Sequence, residues 1–337
     1  MKHGRKKLAF AIVLVATVVG AALFWQHTIA FADRPMVHDA TPRVLLVAPG
    51  DGLGAIVRKL RAIGVHGGSS LEWKALAARM GVAGKLQVGE YAVAPGMSPR
   101  ELLRRLASGE VIQRKFTLIE GWSFRDVRRA LAADPQLVHP KTQPDDAALM
   151  AALGRRGQHP EGRFLPETYV YTRGTDELAV LDRAAKAMDK ALAEAWDGRA
   201  EKLPFKSPDE LLTLASIVEK ETGLASERPQ IAGVFVRRLG IGMRLQTDPT
   251  VIYGMGAAYA GNIRRNDLIT DTPYNTYVRA GLPPTPIAMP GRAALQAAAH
   301  PADGDALYFV ARGNGAHQFS SNLAAHEAAV RRYQLRR

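Results

Sequence analysis

Two glutamates, Glu219 and Glu221, close the apolar stretch "LASIVEKETG". A carboxylate on a buried face loses hydration, which disfavours its charged form and raises its pKa. A general acid working near neutral pH needs that condition. Further along, "GMRLQTDPTVIYGMG" gathers Arg244, Gln246, Thr247, Asp248 and Tyr253, and "DTPYNTY" adds Tyr274, Asn275, Thr276 and Tyr277. Hydroxyls, amides and rings on loops broken by Pro249 and Gly254 suit a carbohydrate cleft. Rings stack on sugar faces there, and polar groups meet the ring substituents. The competing reading is structural, since Asn, Thr and Pro are ordinary turn residues. His300, His317 and His326 do not fall at metal-ligand spacing and read as structural. The sequence has no Walker A loop, dinucleotide fingerprint or G-x-S-x-G elbow, and no cofactor or metal is expected.

The helix that must position the glutamates has clear ends. "SPDELLTLASIVEKETG" offers Ser207 as N-cap, Pro208 at the first helical position, Glu210 closing a capping box and Gly223 as the stop. At about 100° per residue, Leu211, Leu212, Leu214, Ile217 and Val218 define an apolar direction. Glu221 lies about 50° from it and Glu219 about 110°. Leu214, Ile217, Val218 and Glu221 therefore share one stripe, and Lys220 points to water. This phase favours Glu221 as the acid and makes Glu219 a hydrogen-bonding helper or the alternative acid. The plainer reading is that Glu221 marks where the helix leaves the core, or pairs with an arginine.

The 337 residues are too many for one ordinary domain, and the composition is that of a folded protein. A net charge of +13 points to an anionic neighbour, or to arginine used as a general solvating residue. The absence of cysteine excludes a disulfide framework, a thiol nucleophile and a Cys-ligated zinc. At the N-terminus, Lys2, Arg5, Lys6 and Lys7 precede Leu8 to Trp25, a run without charge. Such a run spans a bilayer with its N-terminus in the cytoplasm. A cleaved signal peptide is the rival, with Ala30-Phe31-Ala32 as its site. The length of the run and Phe24-Trp25 favour a retained anchor. Both readings put the body outside the cytoplasm and speak against nucleic acid as partner.

The expected organisation is residues 1–7 as a cytoplasmic tail, 8–27 as the anchor and 28–42 as a polar linker. A small α/β module follows at 43–113, and a larger mixed α+β domain at 114–333. In the module, "RVLLVAPG" and "VGEYAVAPG" read as strands. Helices follow Gly52, Ser70 (the expected N-cap) and Ser98, the last with a capping box to Glu101. In the larger domain, "VIQRKFTLIEG" and "EGRFLPETYVYTRGT" read as strands, with helices at "SFRDVRRALAA" and "DELAVLDRAAKAMDKALAEAWDGRA".

The strings "LASIVEKETG", "GMRLQTDPTVIYGMG", "DTPYNTY", "GLPPTPIAMPG", "AAAHPA", "LYFVA" and "HQFSSNLAAH" resemble those of the MltG/YceG-like endolytic murein transglycosylases. The resemblance runs in order along essentially the whole chain, and "EGRFLPETY" matches too. The fold it implies is α+β: an N-terminal transmembrane helix, a small LysM-like module and a catalytic domain with a lysozyme-like glutamate helix. The activity it implies is lytic cleavage of the MurNAc–GlcNAc bond in nascent peptidoglycan strands, leaving a 1,6-anhydroMurNAc end. It also implies a single-pass bacterial inner-membrane protein facing the periplasm, with peptidoglycan synthases as partners. Its catalytic glutamate lies in the E-K-E-T string, where Glu221-Thr222 is the closer match to the Glu-Ser of soluble lytic transglycosylases. Gln246, Tyr274, Asn275 and Thr276 become candidates for positioning the N-acetyl and peptide-bearing groups, and Asp248 for a loop cap or substrate contact. A glycan-binding scaffold without catalysis is the alternative, and a hydrolase sharing the substrate is a third.

Overall fold

The computed structural model describes residues 2–37 and 39–335, without the side chains of residues 2–9 and 21. The basic side chains Lys2, Arg5, Lys6 and Lys7 therefore lie outside the described part. The chain is mixed α+β and divides into two compact units, Met1–Arg114 and Lys115–Arg337.

The first unit opens with helix α1 (Lys2–Ala32), in which Phe10–Ala32 is long and apolar enough to cross a membrane. Strand β1 (Arg43–Val47), helices α2 (Leu53–Ala62) and α3 (Ser70–Met80), strand β2 (Gly89–Val93) and helix α4 (Pro99–Ser108) follow. β1 and β2 pair antiparallel with Leu45 opposite Tyr91. Period-two alternation sends Leu45 and Val47 inward and leaves Val44 and Leu46 exposed. Ser69 caps α3 through a reciprocal capping box with Glu72, whereas the sequence had pointed to Ser70. Ser69 has extended dihedrals and Ser70 is already helical, so only Ser69 can meet the free N–H of Glu72. At α4, Ser98 caps as expected, but the Glu101 carboxylate turns to Arg105 at 2.7 Å and leaves the box open. The stretch read as a linker from residue 28 is packed at its start. α1 runs on to Ala32, and Phe31, Ala32, Met36 and Val37 enter the core of the unit. Phe31 meets Trp73 edge to face at 5.4 Å, and backbone bonds Met36 N–Met97 O and Gly96 N–Val37 O close the packing.

In the second unit, β3 (Arg114–Thr117), α5 (Phe124–Ala132), α6 (Asp146–Ala152) and β4 (Thr168–Tyr171) precede the long helix α7 (Glu177–Asp197). Then come α8 (Pro208–Glu221), α9 (Arg228–Gly240), α10 (Asp248–Met255), α11 (Arg265–Ile269) and α12 (Arg292–Ala299). The hairpin of β5 (Tyr308–Ala311) and β6 (His317–Ser320) and helix α13 (Leu323–Tyr333) complete the unit. β3 and β4 form a second two-stranded sheet. The core is built around α8, because α7, α9 and α12 all pack on it. Every residue from Leu211 to Val218 is buried, so α8 is enclosed on all sides and has no single apolar stripe. Burying Leu211, Leu212, Leu214, Ile217 and Val218 stabilises the unit by about 1.5–3 kcal/mol each. The two polar residues within this stretch are satisfied locally. Thr213 donates to the Asp209 carbonyl and Ser216 to that of Thr213, while Ser216 Oγ also accepts the Ile287 N–H at 2.9 Å.

Candidate active site

α8 emerges from the core at its C-terminus and carries Glu219 and Glu221 out of it on different sides. Its last residue is Glu221, and Thr222 ends it with extended dihedrals, so the expected glycine stop at Gly223 is not what breaks the helix. Glu219 keeps only 5% of its side chain exposed, beside Arg228 at 3.5 Å. Its Oε2 accepts the Gly291 N–H at 2.9 Å. Burial raises its pKa and the Glu120 carboxylate adds to this, while the Gly291 N–H and Arg228 pull the other way.

Glu221 is half-buried and has a different set of neighbours. The Thr247 hydroxyl donates to its Oε1. Burial pushes its carboxyl up to about 7, and the Asp248 carboxylate adds to this. The Thr247 hydrogen bond and the charges of His317 and Arg238 pull the other way. Two of these neighbours are held rigidly by groups the sequence analysis did not single out. Arg238 is buried, donates to the carbonyls of Leu307 at 2.6 Å and Leu245 at 2.7 Å, and lies over the Tyr308 ring. His317 is fixed by Glu227, which takes its Nδ1 at 2.7 Å and its backbone N–H at 2.9 Å. The "HQFSSNLAAH" string was the available signal for His317. Nothing in "VFVRRLG" separates Arg238 from its neighbour Arg237.

Thr247 is placed by the loop before α10. Gln246 adopts a left-handed backbone (φ +49°), which costs a non-glycine residue about 1–3 kcal/mol and is found where a site requires it. The next residue, Thr247, is the N-cap of α10, yet its hydroxyl makes no capping bond and goes to Glu221 instead. A forgone cap costs a helix about 1 kcal/mol. Thr276 braces this arrangement: its Oγ1 accepts the Thr247 N–H at 3.1 Å and contacts Thr250 Oγ1 at 2.9 Å. Tyr277 donates its hydroxyl to Asp248 Oδ1 at 2.6 Å, and Arg244 donates to the Tyr277 carbonyl at 3.1 Å. Arg244, Gln246 and Asp248 are exposed along the same edge.

The structure sorts the remaining candidates differently from the sequence reading. Asn275, 1% exposed, donates its amide to the carbonyls of Asp267, Leu268 and Thr270 and accepts the Tyr277 N–H. Its side chain folds the loop and has nothing left for a ligand. Thr276, 2% exposed, is likewise internal. Tyr253 and Tyr274 meet each other at 4.8 Å. Gly254 allows that approach, because a Cβ there would stand 3.1 Å from Tyr274 Cβ. The Tyr253 hydroxyl bonds to Glu161, a buried carboxyl missed by the sequence analysis although it opens the "EGRFLPETY" string.

An apolar N-terminal helix and two compact α+β units, the second holding a buried helix that ends on Glu221, define the class of protein. Comparisons with known proteins give the family. The YceG-like family matches residues 45–332. The chain is 31% identical to the endolytic murein transglycosylase of Bacillus subtilis (strain 168) over 268 residues, 74% of each chain. It is 29% identical to the endolytic murein transglycosylase of Streptococcus pneumoniae serotype 2 over 261 residues, 67% of this chain and 46% of that one. A crystal structure of a YceG-like protein from Listeria monocytogenes superposes with a TM-score of 0.56 at 28% identity, covering 85% of this chain and 98% of that chain. The chain belongs to the YceG-like family.

Proposed function

We propose that the chain is an endolytic peptidoglycan lytic transglycosylase that cuts the MurNAc–GlcNAc bond of nascent strands and leaves a 1,6-anhydroMurNAc end. The observation that carries this reading is Glu221, a half-buried carboxyl that keeps its proton up to about pH 7 and has a hydroxyl donor as its hydrogen-bond partner. The names and identities of the bacterial relatives support the substrate class.

In the reaction, Glu221 protonates the bridging oxygen, the C1–O4 bond breaks, and positive charge develops at C1 of the muramic acid. The C6 hydroxyl of the same sugar then attacks C1, and the ionised Glu221 takes its proton. No water is consumed. An intramolecular hydroxyl reaches effective concentrations of about 10⁵ M or more, so one carboxyl suffices. The Asp248 carboxylate beside Glu221 stabilises the developing positive charge, while Arg238 and His317 favour Glu221 in its ionised phase. Arg244 and Gln246 contact substrate from the exposed edge.

α1 is the membrane anchor, with the body of the chain in the periplasm beside the peptidoglycan synthases. Burial of Phe31 and Ala32 in the first unit supports a retained helix, since cleavage after Ala32 would remove Phe31 from its core. The first unit stands where the family resemblance implies a LysM-like module. Mass spectrometry of products from uncrosslinked strands tests the reaction, with anhydro-ended internal fragments expected. Reducing ends would select a hydrolase using Asp248 as nucleophile, and strand binding without cleavage would select the scaffold.

A further inference from the structure

A cavity of about 770 Å³ in the second unit borders the Glu221 site. α10 joins the two: its first residue, Asp248, stands beside Glu221, while Pro249, Ile252 and Tyr253 of the same helix line the cavity. Lys220, the chain neighbour of Glu221, lines it as well, and Phe124 and Arg125 at the start of α5 contribute another wall. The volume lies within the range of about 300–1,000 Å³ typical of ligand pockets, and the walls combine rings and aliphatic side chains with a few charges.

The charges are unbalanced in a specific way. Of the four lining cations, Arg128 is engaged by Asp146 at 2.8 Å and Arg129 by Asp126 at 3.1 Å. Arg125 has no carboxylate within ion-pairing distance among the described residues, and Lys220 is held only by the Gly121 carbonyl at 3.2 Å. Inside the cavity, Glu161 is 3% exposed and accepts the Phe124 N–H at 2.9 and 3.1 Å. Burial pushes its carboxyl up to about 7, while the Phe124 N–H and the Tyr253 hydroxyl pull it back and hold it in place. Arg125 acts on Asp126 only through its charge, so a neutral sugar ring would leave both Arg125 and Lys220 without an ion-paired carboxylate among the described residues. A short peptide with a carboxylate and aliphatic side chains satisfies cations and walls together.

Resting on the reaction proposed above, we infer that this cavity is a stem-peptide subsite. It receives the acidic peptide carried on the lactyl group of a muramic acid, with Arg125 and Lys220 meeting the peptide carboxylate and Phe124, Ile252 and Tyr253 its aliphatic groups. The pyrophosphate of a lipid carrier is the competing anion, and the apolar walls speak against it.

The test uses the full chain in detergent and two readouts. In calorimetry, a soluble muramyl tripeptide binds wild type, and amidation of its carboxylates weakens binding about tenfold or more. Arg125→Gln with Lys220→Met has the same effect, and Arg125→Lys in place of Arg125→Gln recovers part of it. In kinetics, wild type prefers peptide-bearing strands over strands stripped by an amidase, and the double variant lowers that ratio about tenfold through KM. Equal rates on both strands, an equal loss on both in the variant, or displacement of the tripeptide by inorganic pyrophosphate at matched concentration would overturn the inference. If strands are not cleaved at all, the proposed reaction fails, and calorimetry alone still decides the subsite.

Discussion

Glu219 and Glu221 stand two residues apart on one helix, and both lose water as α8 leaves the core. Their partners differ in kind. Glu219 faces a guanidinium and a backbone N–H, which oppose the effect of burial and of the Glu120 carboxylate and tie α8 to Arg228 and Gly291. Glu221 faces a hydroxyl, with a second carboxylate beside it that resists its ionisation. Burial raises both carboxyls, and the neighbours modulate that shift. Two glutamates on one helix turn can therefore keep unlike company.

Substitutions that exchange or remove these partners should separate the two flanks. Glu221→Gln removes the transferable proton with little change of shape, and turnover of glycan strands should fall about 10²- to 10⁴-fold. The variant should remain folded, as thermal unfolding would show. The next effect is on stability. With its folded pKa raised from 4.5 to about 7, Glu221 binds more protons folded than unfolded between those values. Stability should therefore fall as pH rises through that interval, by up to about 3 kcal/mol from this group. Urea titrations at pH 5 and pH 8 should show a smaller fall in Glu221→Gln than in wild type. Glu219→Gln should do the reverse of Glu221→Gln. It deprives Arg228 of the nearer of its two carboxylate partners, costs about 1–3 kcal/mol of stability and leaves activity within about tenfold of wild type. A Glu219→Gln variant that is stable and inactive would collapse the distinction. The smallest effect belongs to Tyr277→Phe, which frees the Asp248 carboxylate. It should cost about 1 kcal/mol or less of stability and slow turnover several-fold.

Much of the local structure was legible because caps and periods are local signals. Ser207 and Ser98 cap the helices where the sequence placed them, and the strand at Arg43–Val47 alternates, whereas in Gly89–Val93 Glu90 is buried beside Tyr91. The pairing of Glu221 with the "LQTDPT" loop was legible only as proximity of chemistry: strings of hydroxyls, amides and an acidic group following a glutamate helix. Helix phase carried less than it promised, because α8 is buried all round and Glu219 is as deeply placed as Glu221. The sequence could not show that Asn275 and Thr276 would turn their polar groups inward, since an amide that folds a loop and one that binds a sugar look alike in sequence. Arg238, His317, Glu227 and Glu161 were missed for a related reason. Each acts through a partner at least 10 residues away in the chain, and tertiary packing alone brings such pairs together.

The pH dependence of kcat/KM, compared between wild type and Thr247→Val, tests most directly whether Glu221 is the acid. Wild type should lose activity as pH rises through about 7, where Glu221 gives up its proton. Removing the Thr247 hydroxyl takes away a bond that favours the ionised carboxyl, so this alkaline limb should move to higher pH in the variant, while Glu219→Gln leaves it in place. A limb unmoved by Thr247→Val and shifted by Glu219→Gln would contradict the account and make Glu219 the acid.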